Sequence, residues 1–179
     1  VDRDDLKDMG SILWAETVQA IRRLNPNTTL ETLIPDFQGI HKHLDRIVAV
    51  APEVISHNME TVKRLTRAVR IQARYERSLE VLRYLKEAGA NRTKTGLMLG
   101  LGETREEVIE TLHDLRAHEV DVVTLGQYLQ PSKKHLPVEE YITPEQFKEY
   151  ETIGLELGFR HVESGALVRS SYKAQKHIL

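Results

Sequence analysis

The 179-residue chain contains no cysteine. Within this chain, that excludes a disulfide framework, a thiolate metal or cluster site, and a cysteine nucleophile. Excess charge is lacking too: 25 Lys+Arg face 27 Asp+Glu, a net charge of -2. A strongly basic nucleic-acid footprint is therefore absent. Apolar runs reach only a few residues, far below the ~18 that cross a membrane. What is there is an ordinary globular composition, 40% hydrophobic and 29% charged, rich enough for a core and too apolar for disorder. The length suits one domain or a large piece of one. Val1 is not a methionine, and Asp2, Arg3, Asp4 and Asp5 after it do not make a basic-then-apolar leader. The chain is therefore expected to be a piece of a longer protein with its N-terminal part missing. The cysteine count then holds for the piece alone.

Apolar periodicity switches repeatedly between helix and strand patterns. Residues 11–24 space Ile12, Leu13, Ala15, Val18, Ile21 and Leu24 as one helical stripe, ended by Asn25-Pro26-Asn27. Strands are expected at 28–35, 53–59, 92–99 and 121–128, with a short one at 160–163. Helices are expected at 39–50, 75–88, from 104 to about 118, and from 143 to 157. Thr104 and Glu107 form a capping box, and Thr143-Pro144 places proline at the first helical position. Residues 60–71 read as a loop with a helical turn. The order is a helix, four βα units and a short strand, which implies parallel crossovers. Five strands cannot close an eight-stranded barrel, so the fold class is α/β, an open or partial (β/α) barrel lacking its first strand or strands. Residues 1–179 are taken as one domain with a C-terminal tail at 164–179.

In parallel βα folds, chemistry collects at the C-terminal ends of the strands. Those ends carry Asp36; His57, Asn58 and Glu60; Gly100-Leu101-Gly102-Glu103; Gln127 to Gln130; and Glu163-Ser164-Gly165. Five polar ends together favour a polar site there. The Gly100–Gly102 loop is either a tight turn needing positive φ or a set of N–H groups for an anion or a cofactor's polar edge. It lacks the third glycine of a dinucleotide fingerprint and the Lys-Ser/Thr of a P-loop. If the strand persists, alternation puts His57 and Met59 on one face and Asn58 and Glu60 on the other, and a hydrogen-bonding role for His57 is preferred over a metal. His41 and His43 point apart on a helix and are assigned to the surface. Arg64, Arg67, Arg70, Arg74 and Arg77 are either a solvated face paired with Glu76 and Glu80 or a patch for an acidic partner. Lys133, Lys134 and His135 form a second such candidate. The stretch Leu167 to Tyr172 reads as an ordinary terminal strand, without a nucleophile elbow around its serines.

Seven stretches in order resemble lipoyl synthase, a family of radical S-adenosylmethionine (SAM) enzymes. They are VDRDDL at 1–6, LETLIPDF at 30–37, HNMETV at 57–62, RYERSLEVL at 74–82, KTGLMLGLGET at 94–104, TLGQYLQPSKKHLPVEEY at 124–141 and GFRHVESGALVRSSY at 158–172. The resemblance implies a partial (β/α)6 barrel and a sulfurtransferase. Such an enzyme inserts two sulfurs at C6 and C8 of an octanoyl chain on a carrier-domain lysine. It implies SAM and two 4Fe–4S clusters, one generating the 5′-deoxyadenosyl radical and an auxiliary one consumed as the sulfur donor. It implies octanoylated carrier domains as partners (glycine cleavage H protein, 2-oxoacid dehydrogenase E2), with ferredoxin or flavodoxin as electron donor and neither nucleic acid nor membrane. The setting is bacterial cytoplasm or an organelle matrix. Carried over by motif, Ser170 is the auxiliary cluster's metal ligand, an unusual hard oxygen that suits a cluster meant to be dismantled. Asn58, Glu60, Gly100, Gly102 and Glu103 are the cofactor-binding candidates, and Arg169 is a residue that positions the tail or neutralises cluster charge. The family's two cysteine triplets, Cys-x3-Cys-x2-Cys and Cys-x4-Cys-x5-Cys, have no counterpart in this chain. The chain alone is therefore expected to bind no cluster and to be inactive. Two alternatives are another sulfur-inserting radical enzyme of the biotin synthase kind, which TLGQYLQP and RSSY disfavour, and a cluster-free module that binds carrier domains.

Overall fold

The computed structural model describes residues 3 and 5–178. Val1, Asp2 and Asp4, on which part of the reading of the chain's start falls, lie outside them. Helix α1 (Ser11–Leu24) is followed by β1 (Glu31–Leu33), α2 (His41–Ala49), β2 (Val54–Ser56), the short α3 (Thr66–Val69) and α4 (Tyr75–Glu87). Then come β3 (Thr93–Leu99), α5 (Arg105–Ala117), β4 (Val122–Gln127), α6 (Pro144–Glu156) and β5 (His161–Gly165). The five strands form one parallel sheet in the order β1-β2-β3-β4-β5. A doubly wound sheet reverses its strand order midway and covers both faces with helices. Sequential order winds one way and keeps the helices on one face, as in a barrel wall. The fold is α/β, a partial barrel.

Alternation along the strands separates the two faces. Leu97 and Leu99 of β3, Val123 and Leu125 of β4, and Val162 of β5 pack against the helices with Leu82, Leu112 and Phe147. Ile55 joins Leu44, Ile47, Val81 and Leu85 in a second cluster at the β1–β2 end. The intervening positions (Glu31, Ser56, Lys94, Gly96, Thr124, Gly126, Glu163) belong to the opposite, concave face. Both capping boxes form: Thr104 with Glu107 and Thr143 with Gln146. Each satisfies two N–H groups that a helix start would leave unpaired.

The strands at the β1–β2 end are shorter than the apolar runs suggested. Hydrogen bonds, not composition, define a strand, and after Ser56 the chain turns inward through Glu60, whose φ is 68°. Three expectations are corrected. His43 is buried, with Nδ1 3.0 Å from Ser11 Oγ and 3.1 Å from the Arg46 guanidinium. Burial and then Arg46 push its pKa down. It sits there because α1 packs on the His43–Leu44–Ile47 stripe of α2, while His41 stacks on Tyr84. The arginines choose partners across the fold: Arg64 pairs with Glu107 and Arg77 with Asp36, while Lys63 takes Glu76. The tail is no strand. After Gly165 it runs through turns to a 3-10 helix (Ala174–Ile178), packed on the concave face.

Candidate functional site

Strands β1 to β3 open into a cleft of about 750 Å³ whose walls include Asp36, Asn58, Glu60, Arg70, Arg74 and Met98. Beside it, a cavity of about 210 Å³ lies between the concave face and the tail. Asn58, Glu60 and Met98 border both. Gly96, Thr124, Gly126, Arg169 and Ser170 line the smaller one.

The turn after β2 is built by hydrogen bonds that point residues 58 and 60 inward. His57 is a strut. Its Nδ1 lies 3.1 Å from the Ile34 carbonyl and its Nε2 2.9 Å from Ser78 Oγ. A carbonyl only accepts, so Nδ1 carries the proton and Nε2 accepts from the Ser78 hydroxyl. Met59 N–H donates to Thr95 Oγ1 (3.0 Å), which seats Met59 in the helix-side core. Glu60 bridges to β3: its N–H donates to the Gly96 carbonyl (2.9 Å), and its carbonyl accepts from Met98 (2.8 Å). The strand ends at Ser56, so these bonds and not strand alternation set Met59 opposite Asn58 and Glu60.

Asn58 donates through Nδ2 to Glu60 Oε1 at 3.2 Å. Its Oδ1 is buried without a hydrogen-bond partner. A buried amide oxygen left unpaired costs about 1–3 kcal/mol, so this acceptor is one that a ligand would satisfy. Burial pushes the Glu60 carboxyl pKa up, with Asn58 and then Arg70 opposing. Gly96 keeps the floor open beneath: a Cβ there would lie 2.9 Å from Thr124 Oγ1 and 3.1 Å from Asn58 Oδ1.

The glycine loop after β3 stands apart from both cavities. Glu103 closes it on itself, its carboxylate accepting from Gly100 N–H (2.5 Å) and Leu101 N–H (3.0 Å). The Gly102 carbonyl accepts from the Arg64 guanidinium at 2.8 Å. Gly100 has φ 99°, and a Cβ on it would strike Gln127 Nε2 and the Glu140 carbonyl at 2.3 Å. Its conformation and its contacts both require glycine. The N–H groups read as an anion cradle are thus occupied by the chain's own carboxylate.

Of the sequence candidates, the structure brings Asn58, Glu60 and Ser170 to one cavity and leaves Gly100, Gly102 and Glu103 outside the lining of both. Sequence reasoning missed Thr124, Gly126 and Met98. The available signal was the period-2 run of inward positions Gly96–Met98 and Thr124–Gly126.

Comparison with known proteins gives this geometry a family. The Radical SAM superfamily profile matches residues 1–115. The chain is 80% identical to "Lipoyl synthase, mitochondrial" of Nematostella vectensis over 178 residues, 99% of this chain and 61% of that protein. It is 78% identical over its whole length to "Lipoyl synthase" of Flavobacterium johnsoniae, covering 62% of that protein. The chain thus spans about 61–62% of the length of these curated relatives. Among solved structures, methylornithine synthase (PylB) superposes with a TM-score of 0.67 over 84% of this chain and 44% of its own, at 17% identity. That likeness concerns the fold alone. With the profile covering most of the chain and lipoyl synthases matching nearly all of it, the chain belongs to the radical SAM superfamily, with lipoyl synthases as its near relatives.

Proposed function

We propose that these residues form the barrel wall of a lipoyl synthase, whose whole protein inserts sulfur at C6 and C8 of an octanoyl chain on a lipoyl carrier lysine. The observation that carries this reading is identity of 76–80% with lipoyl synthases over 99–100% of the chain. The partners are then octanoylated carrier domains and a ferredoxin- or flavodoxin-type donor. The compartment is bacterial cytoplasm or an organelle matrix. No helix among the described residues is long and apolar enough to cross a membrane.

The cavity residues fit SAM. Asn58 Oδ1 is an unsatisfied buried acceptor, and the Glu60 carboxyl beside it gains from a cationic neighbour. These two would hold the ammonium group and a hydroxyl, and the exposed Arg74 of the adjoining cleft would take the carboxylate. Gly100, Gly102 and Glu103 line neither cavity, and their part in this reading is limited to shaping the turn after β3. When bound next to a reduced cluster, SAM supplies the hydrogen-abstracting radical.

The residues present do not fit an iron–sulfur cluster by themselves. The chain has no cysteine, and among the described residues no three of His, Asp and Glu are grouped to hold a metal. Ser170 contributes one oxygen at the cavity wall, at most one ligand. This chain alone therefore takes up no stoichiometric iron and sulfide on anaerobic reconstitution; a stoichiometric cluster would overturn that. In a polypeptide that joins these residues to the cysteine triplets, Ser170→Ala lowers lipoyl product more than 5′-deoxyadenosine. Unchanged lipoyl product refutes the ligand assignment. Failure of that polypeptide to convert octanoyl-lysine at all, with SAM and reductant supplied, refutes the function.

A further inference from the structure

Lys94 is 1% exposed, on the concave face of the central strand. A buried ammonium is costly unless each proton finds an acceptor. Here three donors meet three acceptors: the Glu31 carboxylate at 2.8 Å, the main-chain carbonyl of Ser170, and His177 Nδ1 at 3.0 Å. Glu31 is held in turn by Ser56 Oγ at 2.7 Å. Lys94 has no lone pair, so His177 must accept through Nδ1 and keep its proton on Nε2. Two of the three acceptors belong to the tail, 76 and 83 residues away in sequence. The tail is seated at further points, among them an ion pair from Lys173 to Glu163 of β5 at 3.4 Å and a ring contact of His177 with His161 at 5.8 Å. Gly126 admits the Val168 carbonyl, which a Cβ would meet at 2.3 Å, and Arg92 donates to the Ile178 carbonyl at 3.3 Å.

We propose that Lys94 is a positioning residue that latches the C-terminal tail across the concave face and fixes the main chain at Ser170. Three features support a latch over general stabilisation. Lys94 grips the tail at both ends of the 170–177 stretch. It holds Ser170 by its carbonyl, leaving the hydroxyl out of the latch. Within the tail, the main-chain N–H groups of Tyr172, Ala174 and Lys176 reach only carbonyls three residues back. Such turns do not hold a segment in place alone. The latch stands on geometry. Its bearing on catalysis rests on the reading of Ser170 as an iron ligand.

The test is hydrogen exchange on this chain. Removing Lys94 alone strands the Glu31 carboxylate, so the main variant is Lys94→Met with Glu31→Gln, which leaves no unpaired charge. Losing two charge-assisted bonds speeds exchange at Tyr172, Ala174 and Lys176 by about tenfold or more. Exchange at His57 and Tyr128, bonded to Lys94 and Leu99 of β3, stays unchanged. If the double variant does not fold, His177→Leu withdraws one tail acceptor and gives the same selective loss. Unchanged tail exchange overturns the proposal, and so does tail and barrel exchange accelerating together. Ser170→Ala keeps the carbonyl and leaves tail exchange as it was, whereas faster tail exchange in that variant overturns the carbonyl latch. If Ser170→Ala also leaves iron content unchanged in the cysteine-containing polypeptide, the ligand reading fails and the latch stands.

Discussion

Acid should loosen the tail through His177. Its ring is fully buried, and its pKa falls from 6.5 to about 4. Burial is the main cause and Lys94 the second; Glu31 and Glu163 push the other way, and His161 adds to the lowering. The direction of the pH effect follows from linkage. Unfolded chains protonate this histidine below its ordinary pKa, while the folded chain resists until about 4. The folded state therefore loses stability as pH falls through the window from 6.5 to about 4. The full gap is worth about 3 kcal/mol, of which about 2 kcal/mol is gone by pH 5. Carboxylates contribute their own acid dependence, so the comparison must be with a non-titrating acceptor at the same place. His177→Gln is that variant. Urea unfolding of both proteins at pH 7, 6 and 5 should show the wild type losing about 2 kcal/mol more than the variant across the series. Parallel losses would refute the buried, neutral histidine accepting from Lys94.

Glu60→Gln should raise thermal stability at pH 7 more than at pH 4. The folded carboxyl pKa is raised, so its ionisation cost develops as pH rises through the ordinary carboxylate range; a larger loss at pH 7 contradicts this. The same variant should weaken SAM binding in the cysteine-containing polypeptide, measured by calorimetry. Gly126→Ala places a Cβ against the Val168 carbonyl, so trypsin should cut faster after Arg169 and Lys173, and an unchanged cleavage rate would show that the tail does not rest on Gly126. Thr104→Ala removes the side-chain half of the α5 capping box and should cost about 1 kcal/mol in urea unfolding. A change near zero would mean the cap adds nothing in this setting.

The local rules were legible. α1 begins and ends where its stripe and Pro26 placed it, and both threonine caps formed, because a cap joins groups within three residues. The parallel βα order was equally readable, since each crossover needs a helix between strands. Partner choice was not readable. Glu76 and Glu80 are near the arginines in sequence, yet Arg64 reaches Glu107, 43 residues on, because α5 packs beside that turn. His43 looked exposed because a histidine next to Lys42, two residues from His41, carries no mark of the helix that will cover it. Within the site, Asn58 and Glu60 were legible only through the motif they share with the family, since β2 ends at Ser56 and it is the turn through Glu60 that carries them to the cavity. The occupation of the glycine loop by Glu103 depended on a φ of 99° at Gly100, which spacing does not specify.

By itself, the sequence determined the fold class, the chemistry excluded by a chain without cysteine, and the family whose motifs it carries. All three are written in composition and in patterns a few residues long. Tertiary structure decided which inward-facing groups meet. Lys94 and His177 are 83 positions apart, and nothing local pairs them. They meet because the sheet curves, a buried ammonium needs three acceptors, and the returning tail supplies two of them.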